Sequence, residues 1–132
     1  MISLKRDVYN QIVAHAKADL PNEACGYLAG SDGIVTLGYQ LTNVDHSPEH
    51  FSFDPAEQFK TVKDARGKGL QILANYHSHP ETPSRPSQED IRLAFDPNIL
   101  YFIISLAQQE PVVKAFQIIN GTVTIEEVKI IP

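Results

Sequence analysis

Cysteine is nearly absent from this chain: Cys25 is the only one in 132 residues. No intramolecular disulfide can form, so a reducing compartment is the simpler setting. Runs of lysine and arginine are missing as well, and the formal net charge is −5 with a pI near 5.4. That charge pattern speaks against a nucleic-acid ligand. No apolar run approaches the roughly 20 residues that span a bilayer, so no membrane partner is expected. The opening stretch "MISLKRDVYNQIVAHAKADLP" has charges before any apolar core develops, so it does not read as a signal peptide. The expectation is a cytoplasmic protein. Neither an internal repeat nor a low-complexity segment breaks the chain.

What is present fits one domain spanning residues 1–132, with 42% hydrophobic residues to build one core. Leu4, Val8, Ile12 and His15 or Ala16 recur at helical spacing over residues 4–20, and Pro21-Asn22 ends that pattern. "EACGYLAG" and "GIVTLGYQLTN" read as two strands around Ser31-Asp32-Gly33. An extended piece at Phe51 to Phe53 follows, then a helix with Asp54 as N-cap, Pro55 in its first turn and Gly67 or Gly69 at its stop. "LQILANYH" is an apolar strand, "SQEDIRLAF" a short helix halted by Asp96-Pro97, and "ILYFIISLA" a strand covered on both faces. "PVVKAFQIING" and "GTVTIEEVKII" form a terminal hairpin around Asn120-Gly121. The order predicts an α/β fold, a mixed β-sheet flanked by helices.

The chemistry concentrates in "ANYHSHPETPSRPSQED", Ala74 to Asp90. Residues i and i+2 of a strand face the same side, so His77 and His79 can aim both imidazoles at one point. Ser78 between them must turn away or bond to backbone. Asp90 comes eleven residues after His79, beyond a proline-held loop and at the start of a helix, close enough to bring a carboxylate back. Two histidines and one carboxylate are a zinc ligand set that leaves a fourth position for water. The segment has a plainer reading too, as a capping box with Ser87 at N-cap and Asp90 at N3. The two are compatible, because a capping serine can also face a reacting water. A base is still needed. Taken alone, Glu23 reads as a solvated loop residue; if it opens a strand, with Cys25 and Tyr27 on its face, it can reach a neighbouring strand's site. Cys25 reads as a small buried hydrophobe, Tyr76 and Phe102 as core, His15 as structural or exposed, and His46 and His50 as surface polar groups. The 41–55 segment could border the cleft.

Glu23 upstream, His77-Ser78-His79, seven residues, Ser87, two residues and Asp90 together resemble the JAMM motif of catalytically competent MPN-domain metalloproteases. "PNEACGYLAG" resembles the glutamate-bearing segment of small prokaryotic members. The resemblance implies an MPN (JAMM) fold, similar to that of cytidine deaminases. It also implies one Zn²⁺ per chain held by His77, His79 and Asp90, with Glu23 as general base and Ser87 as donor to the water or oxyanion. The implied activity is that of a zinc metallopeptidase cutting an amide or isopeptide bond at the C-terminus of a ubiquitin-like or sulfur-carrier protein. The alternatives are a non-enzymatic MPN scaffold with a vestigial site, or a non-haem iron oxygenase, whose facial triad has the same donors. A zinc deaminase needs a second cysteine that this chain does not have.

Overall fold

The computed structural model describes residues Met1–Pro132. The strands are β1 (Ile2–Lys5), β2 (Cys25–Ser31), β3 (Ile34–Leu41), β4 (Gln71–His79), β5 (Leu100–Ser105), β6 (Val112–Ile119), β7 (Thr122–Glu126) and β8 (Val128–Ile131). The helices are α1 (Arg6–Ala18), α2 (Pro55–Gly67) and α3 (Gln88–Arg92). All eight strands form one sheet in the order β7-β6-β5-β4-β2-β3-β1-β8. It is mixed: β1 runs parallel to β3 and β8, β4 runs parallel to β5, and the other pairs are antiparallel. The expected mixed sheet flanked by helices is what forms.

Glu127 alone separates β7 from β8, yet these strands lie at opposite ends of the strand order. The sheet must therefore curl until its two edges meet at that residue. The curl leaves a large apolar cluster between α1 and the sheet. Leu4, Val8, Ile12 and Ala16 meet Leu28, Ala74, Tyr76, Phe102 and Ile104 there. The helical face read from the sequence is the buried one, and Tyr76 and Phe102 are core as expected. A second cluster, Tyr101, Ile103, Phe116 and Ile118, packs under Ile91, Ala94 and Ile99 around α3.

Two boundaries differ from the sequence reading. The first helix was expected from Leu4, but Ile2–Lys5 is a strand and the helix begins at Arg6. The last strand was expected to run unbroken to Ile131; instead it stops at Glu126, and β8 pairs with β1. Each correction has the same cause. Ile2–Lys5 is stabilised by Val128–Ile131, at the far end of the chain, and no local pattern reports so distant a partner. The hairpin turn itself forms as expected, with Asn120 at φ 49° and Gly121 at φ 79°, the pair of positive angles a two-residue hairpin loop requires. Asp54 caps α2 by accepting from the Ala56 amide, and Gly69 takes the left-handed conformation just past its end. No helix is long and apolar enough to cross a membrane.

Candidate metal centre

β4 carries the histidines to its C-terminal end, beside the parallel β5, with His77 opposite Ile103 and His79 opposite Ser105. The chain beyond is folded back by three bonds. Leu106 N–H donates to the His79 carbonyl, the Ser105 hydroxyl to the Thr82 carbonyl, and the Ser84 hydroxyl to the Ile103 carbonyl. The return ends in the capping box anticipated from sequence. The Asp90 amide donates to Ser87 Oγ at 3.0 Å and the Ser87 amide donates to Asp90 Oδ2 at 2.9 Å. The helix that follows is shorter than expected, ending at Arg92 rather than reaching Phe95.

His77 Nε2, His79 Nε2 and Asp90 Oδ2 lie 3.1 Å from one another, an equilateral triangle. Around a tetrahedral zinc with ligands at about 2.0–2.1 Å, donor atoms sit about 3.3–3.4 Å apart. The triangle therefore fits such an ion to within a few tenths of an ångström, and the donor set is suitable. The three residues form a group that could hold a metal. His79 Nδ1–H donates to the Pro83 carbonyl at 2.9 Å, which turns the Nε2 lone pair toward the triangle. His77 Nδ1 is buried without a hydrogen-bond partner, and its ring stacks on Phe51 with centroids 4.7 Å apart and planes at 26°.

Asp90 and His79 shift each other at this corner. Burial would raise the Asp90 carboxyl, but hydrogen bonds from His77 and His79 outweigh it and hold it well below the usual carboxylate range. Burial would lower the His79 imidazolium. The Asp90 hydrogen bond, the Pro83 carbonyl and the Asp90 and Glu23 charges together leave it raised.

Glu23 does not open the strand, as had been expected; β2 starts at Cys25, and Glu23 lies in the segment before it. Nor is it a solvated loop residue, being only 4% exposed. Burial, opposed by His79 and reinforced by Asp90, Glu89 and Glu49, pushes its pKa up to about 8. Its Oε1 is buried and has no hydrogen-bond partner. The backbone holds it: Glu23 N–H donates to the Ser47 carbonyl, and Asn43 Nδ2 donates to the Glu23 carbonyl at 3.0 Å. The next residue is tied to the metal strand. Ala24 N–H donates to Ser78 Oγ at 2.7 Å, and Ser78 N–H donates to the Ala24 carbonyl at 3.0 Å. The serine between the histidines thus bonds to backbone and links Glu23's segment to β4.

Asn43 was missed by the sequence reading. It is buried; its Nδ2 also donates to the His50 carbonyl, and its Oδ1 accepts from the Asp45 and Ser52 amides. A polar residue just past a strand gave no signal of that role. His46 and His50 are exposed, with His50 Nδ1 3.0 Å from Asp45 Oδ2. His15 is structural: Tyr76 O–H donates to its Nδ1 at 2.6 Å, and its Nε2 meets Asp19 at 3.2 Å. Cys25 is fully buried opposite His77, and burial pushes its thiol up to about 12, as suits a small hydrophobe. A groove of about 430 Å³ is lined by His77 and Asp90 together with Tyr27, Phe51, Phe53 and Phe95. The 41–55 segment does border it.

A family described as prokaryotic homologs of the JAB domain matches residues 5–119. The chain is 32% identical over 134 residues to the CysO-cysteine peptidase of Mycobacterium tuberculosis, covering 99% of this chain and 92% of that one. It is 33% identical over 111 residues to the desampylase of Haloferax volcanii, covering 79% of this chain and 80% of that one. Among solved structures, one from Desulfitobacterium hafniense is 52% identical with a TM-score of 0.91, covering 98% of this chain and 92% of that one. A JAB1/MPN domain protein from Archaeoglobus fulgidus shares the fold at a TM-score of 0.69 and 20% identity, covering 99% of this chain and 100% of that one.

Proposed function

The chain belongs to the prokaryotic JAB family of JAMM/MPN proteins, matched over residues 5–119, and on that premise we propose that residues 1–132 act as one zinc metallopeptidase domain. Its substrate is an amide or isopeptide bond at the C-terminus of a ubiquitin-like or sulfur-carrier protein. The observation that carries the reading is the triangle of His77 Nε2, His79 Nε2 and Asp90 Oδ2, each 3.1 Å from the others, opening on a groove. The substrate class is supported by relatives named for cleaving CysO-cysteine and for desampylation.

In this reading His77, His79 and Asp90 hold one Zn²⁺ per chain. When bound, zinc activates water near neutral pH and polarises the scissile carbonyl. Glu23 takes the proton from the attacking water and delivers it to the departing amine. Burial raises its pKa to about 8 in the metal-free protein, and a bound cation would lower it toward the carboxylate that a base must be. Ser87 Oγ already accepts from the Asp90 amide, so its own O–H remains to donate to the developing oxyanion. The cap and the catalytic role are then one arrangement. The groove is lined by Phe51, Phe53 and Tyr27, which suits apolar contact with an extended tail.

Ser87→Ala is expected to lower kcat by ~10²–10³ with zinc retained, the usual loss for one oxyanion donor. A steady-state assay beside metal analysis reads both. The substrate proposal is tested by incubating the zinc-loaded protein with ubiquitin-like and sulfur-carrier proteins encoded near it, each bearing a C-terminal adduct or fusion. Mass spectrometry should show release at the carrier's C-terminus. Intact adducts across that set would sink the substrate assignment.

A further inference from the structure

The two imidazoles of the triangle are supported unequally. His79 is oriented by a hydrogen bond to the Pro83 carbonyl, whereas His77 Nδ1 is buried and bonds to nothing. A histidine that binds through Nε2 carries its proton on Nδ1, and such ligands almost always give that proton to a carbonyl, carboxylate or water. The polar neighbours of the His77 ring all lie at Nε2, the atom aimed at the triangle, so no bond on its outer edge fixes how the ring is turned. The group in contact with its face is Phe51, at 4.7 Å and 26°. We infer that Phe51 is a positioning residue for His77, replacing by stacking the hydrogen bond that His79 donates to Pro83, and that Asn43 anchors it. This inference rests on the metal reading proposed above.

The anchoring is visible bond by bond. Asn43 Oδ1 accepts the Ser52 and Asp45 amides, its Nδ2 donates to the His50 carbonyl, and Val44 N–H donates to the Ser52 carbonyl. Asn43 and Phe53 form a backbone bridge. Phe51 therefore sits in a loop closed on both sides of it. Its ring is braced from behind by Phe53 at 5.3 Å, and Phe53 in turn by Tyr27 at 4.9 Å. A file of rings thus leads from the groove wall to a metal ligand. The same asparagine holds the Glu23 carbonyl, so one side chain sets both a ligand and the base.

The test is zinc affinity, read by competition with a chromogenic chelator, not turnover. Phe51→Ala and Phe51→Leu should each weaken zinc binding about 10–100-fold, the range seen when an outer-shell partner is lost. Leucine keeps apolar volume but offers no flat face. Phe51→Tyr should restore affinity to within about threefold, as rescue by a stacking ring requires. Phe59→Ala, an exposed aromatic on α2 outside the groove, should match wild type. Thermal unfolding of each metal-free variant verifies that the fold persists. If Phe51→Leu binds zinc as tightly as wild type, stacking does not position His77 and the inference is overturned while the metal site stands. If the wild-type protein takes up no zinc, the metal reading fails and the inference falls with it.

Discussion

Glu23→Gln should retain one zinc per chain and lose hydrolysis by ~10²–10⁴, the contribution of a positioned general base. The amide matches the carboxylate in shape but cannot take a proton from water, so the metal triangle and the groove are left as they are. A second effect should accompany the loss. Glu23 is only 4% exposed, one of its oxygens has no hydrogen-bond partner, and burial lifts its pKa from the ordinary carboxylate value to about 8. An acid whose pKa is raised on folding destabilises the native state once it ionises in the unfolded chain. The penalty is absent below the unfolded pKa, grows as pH rises through the window up to about 8, and is constant above it. In the metal-free protein, Glu23→Gln should therefore raise stability by a few kcal/mol at pH 8 to 9. The gain should fade toward pH 4. Urea unfolding of both metal-free proteins at several pH values measures it. Hydrolysis by the variant at the normal rate would remove Glu23 from the mechanism. An equal stability at pH 9 would mean that the carboxylate is better solvated than its burial indicates.

The link between that penalty and the chemistry explains which parts of the site could be read from sequence. The side chains proposed to meet the metal obey spacing rules along a strand and a capped helix, so His77, His79, Ser87 and Asp90 stand out locally. The capping box formed on the residues expected for it, because N-cap geometry depends on only four consecutive residues. Glu23 could be offered as a base from its place near a strand end, but its burial could not be read, since its segment is held by Asn43 and Ser47, twenty or more residues away. Asn43 and Phe51 were less legible still. Their contacts, with Glu23 and with His77, cross gaps of twenty residues or more, and neither belongs to a periodic pattern. The same nonlocality hid β1, whose partner lies at the opposite end of the chain. Local chemistry was visible in the order of residues; what holds it in place was not.

His77→Ala should lose both the metal and the activity, and the two losses should have one cause. With a single imidazole and Asp90 remaining, only two of three protein donors are left, short of the three that catalytic zinc sites use. Stoichiometric zinc should vanish from metal analysis after dialysis against a weak chelator, and no product should form even with zinc added back. The strand itself should survive, because β4 is paired through its backbone to β2 and β5 on either side. Circular dichroism near that of metal-free wild type would show that the defect is local. The neighbouring groups sharpen the expectation. In the metal-free protein, hydrogen bonds from both histidines hold the Asp90 carboxyl well below its ordinary range. Removing His77 takes away one of them, so Asp90 should rise toward the usual value while staying paired with His79. Carbon-13 NMR of the side-chain carboxyl reads that change without any metal present. A variant that still binds one zinc with wild-type affinity would mean that the triangle is not the ligand set. The fourth corner, and the water chemistry argued from it, would then belong elsewhere on the molecule.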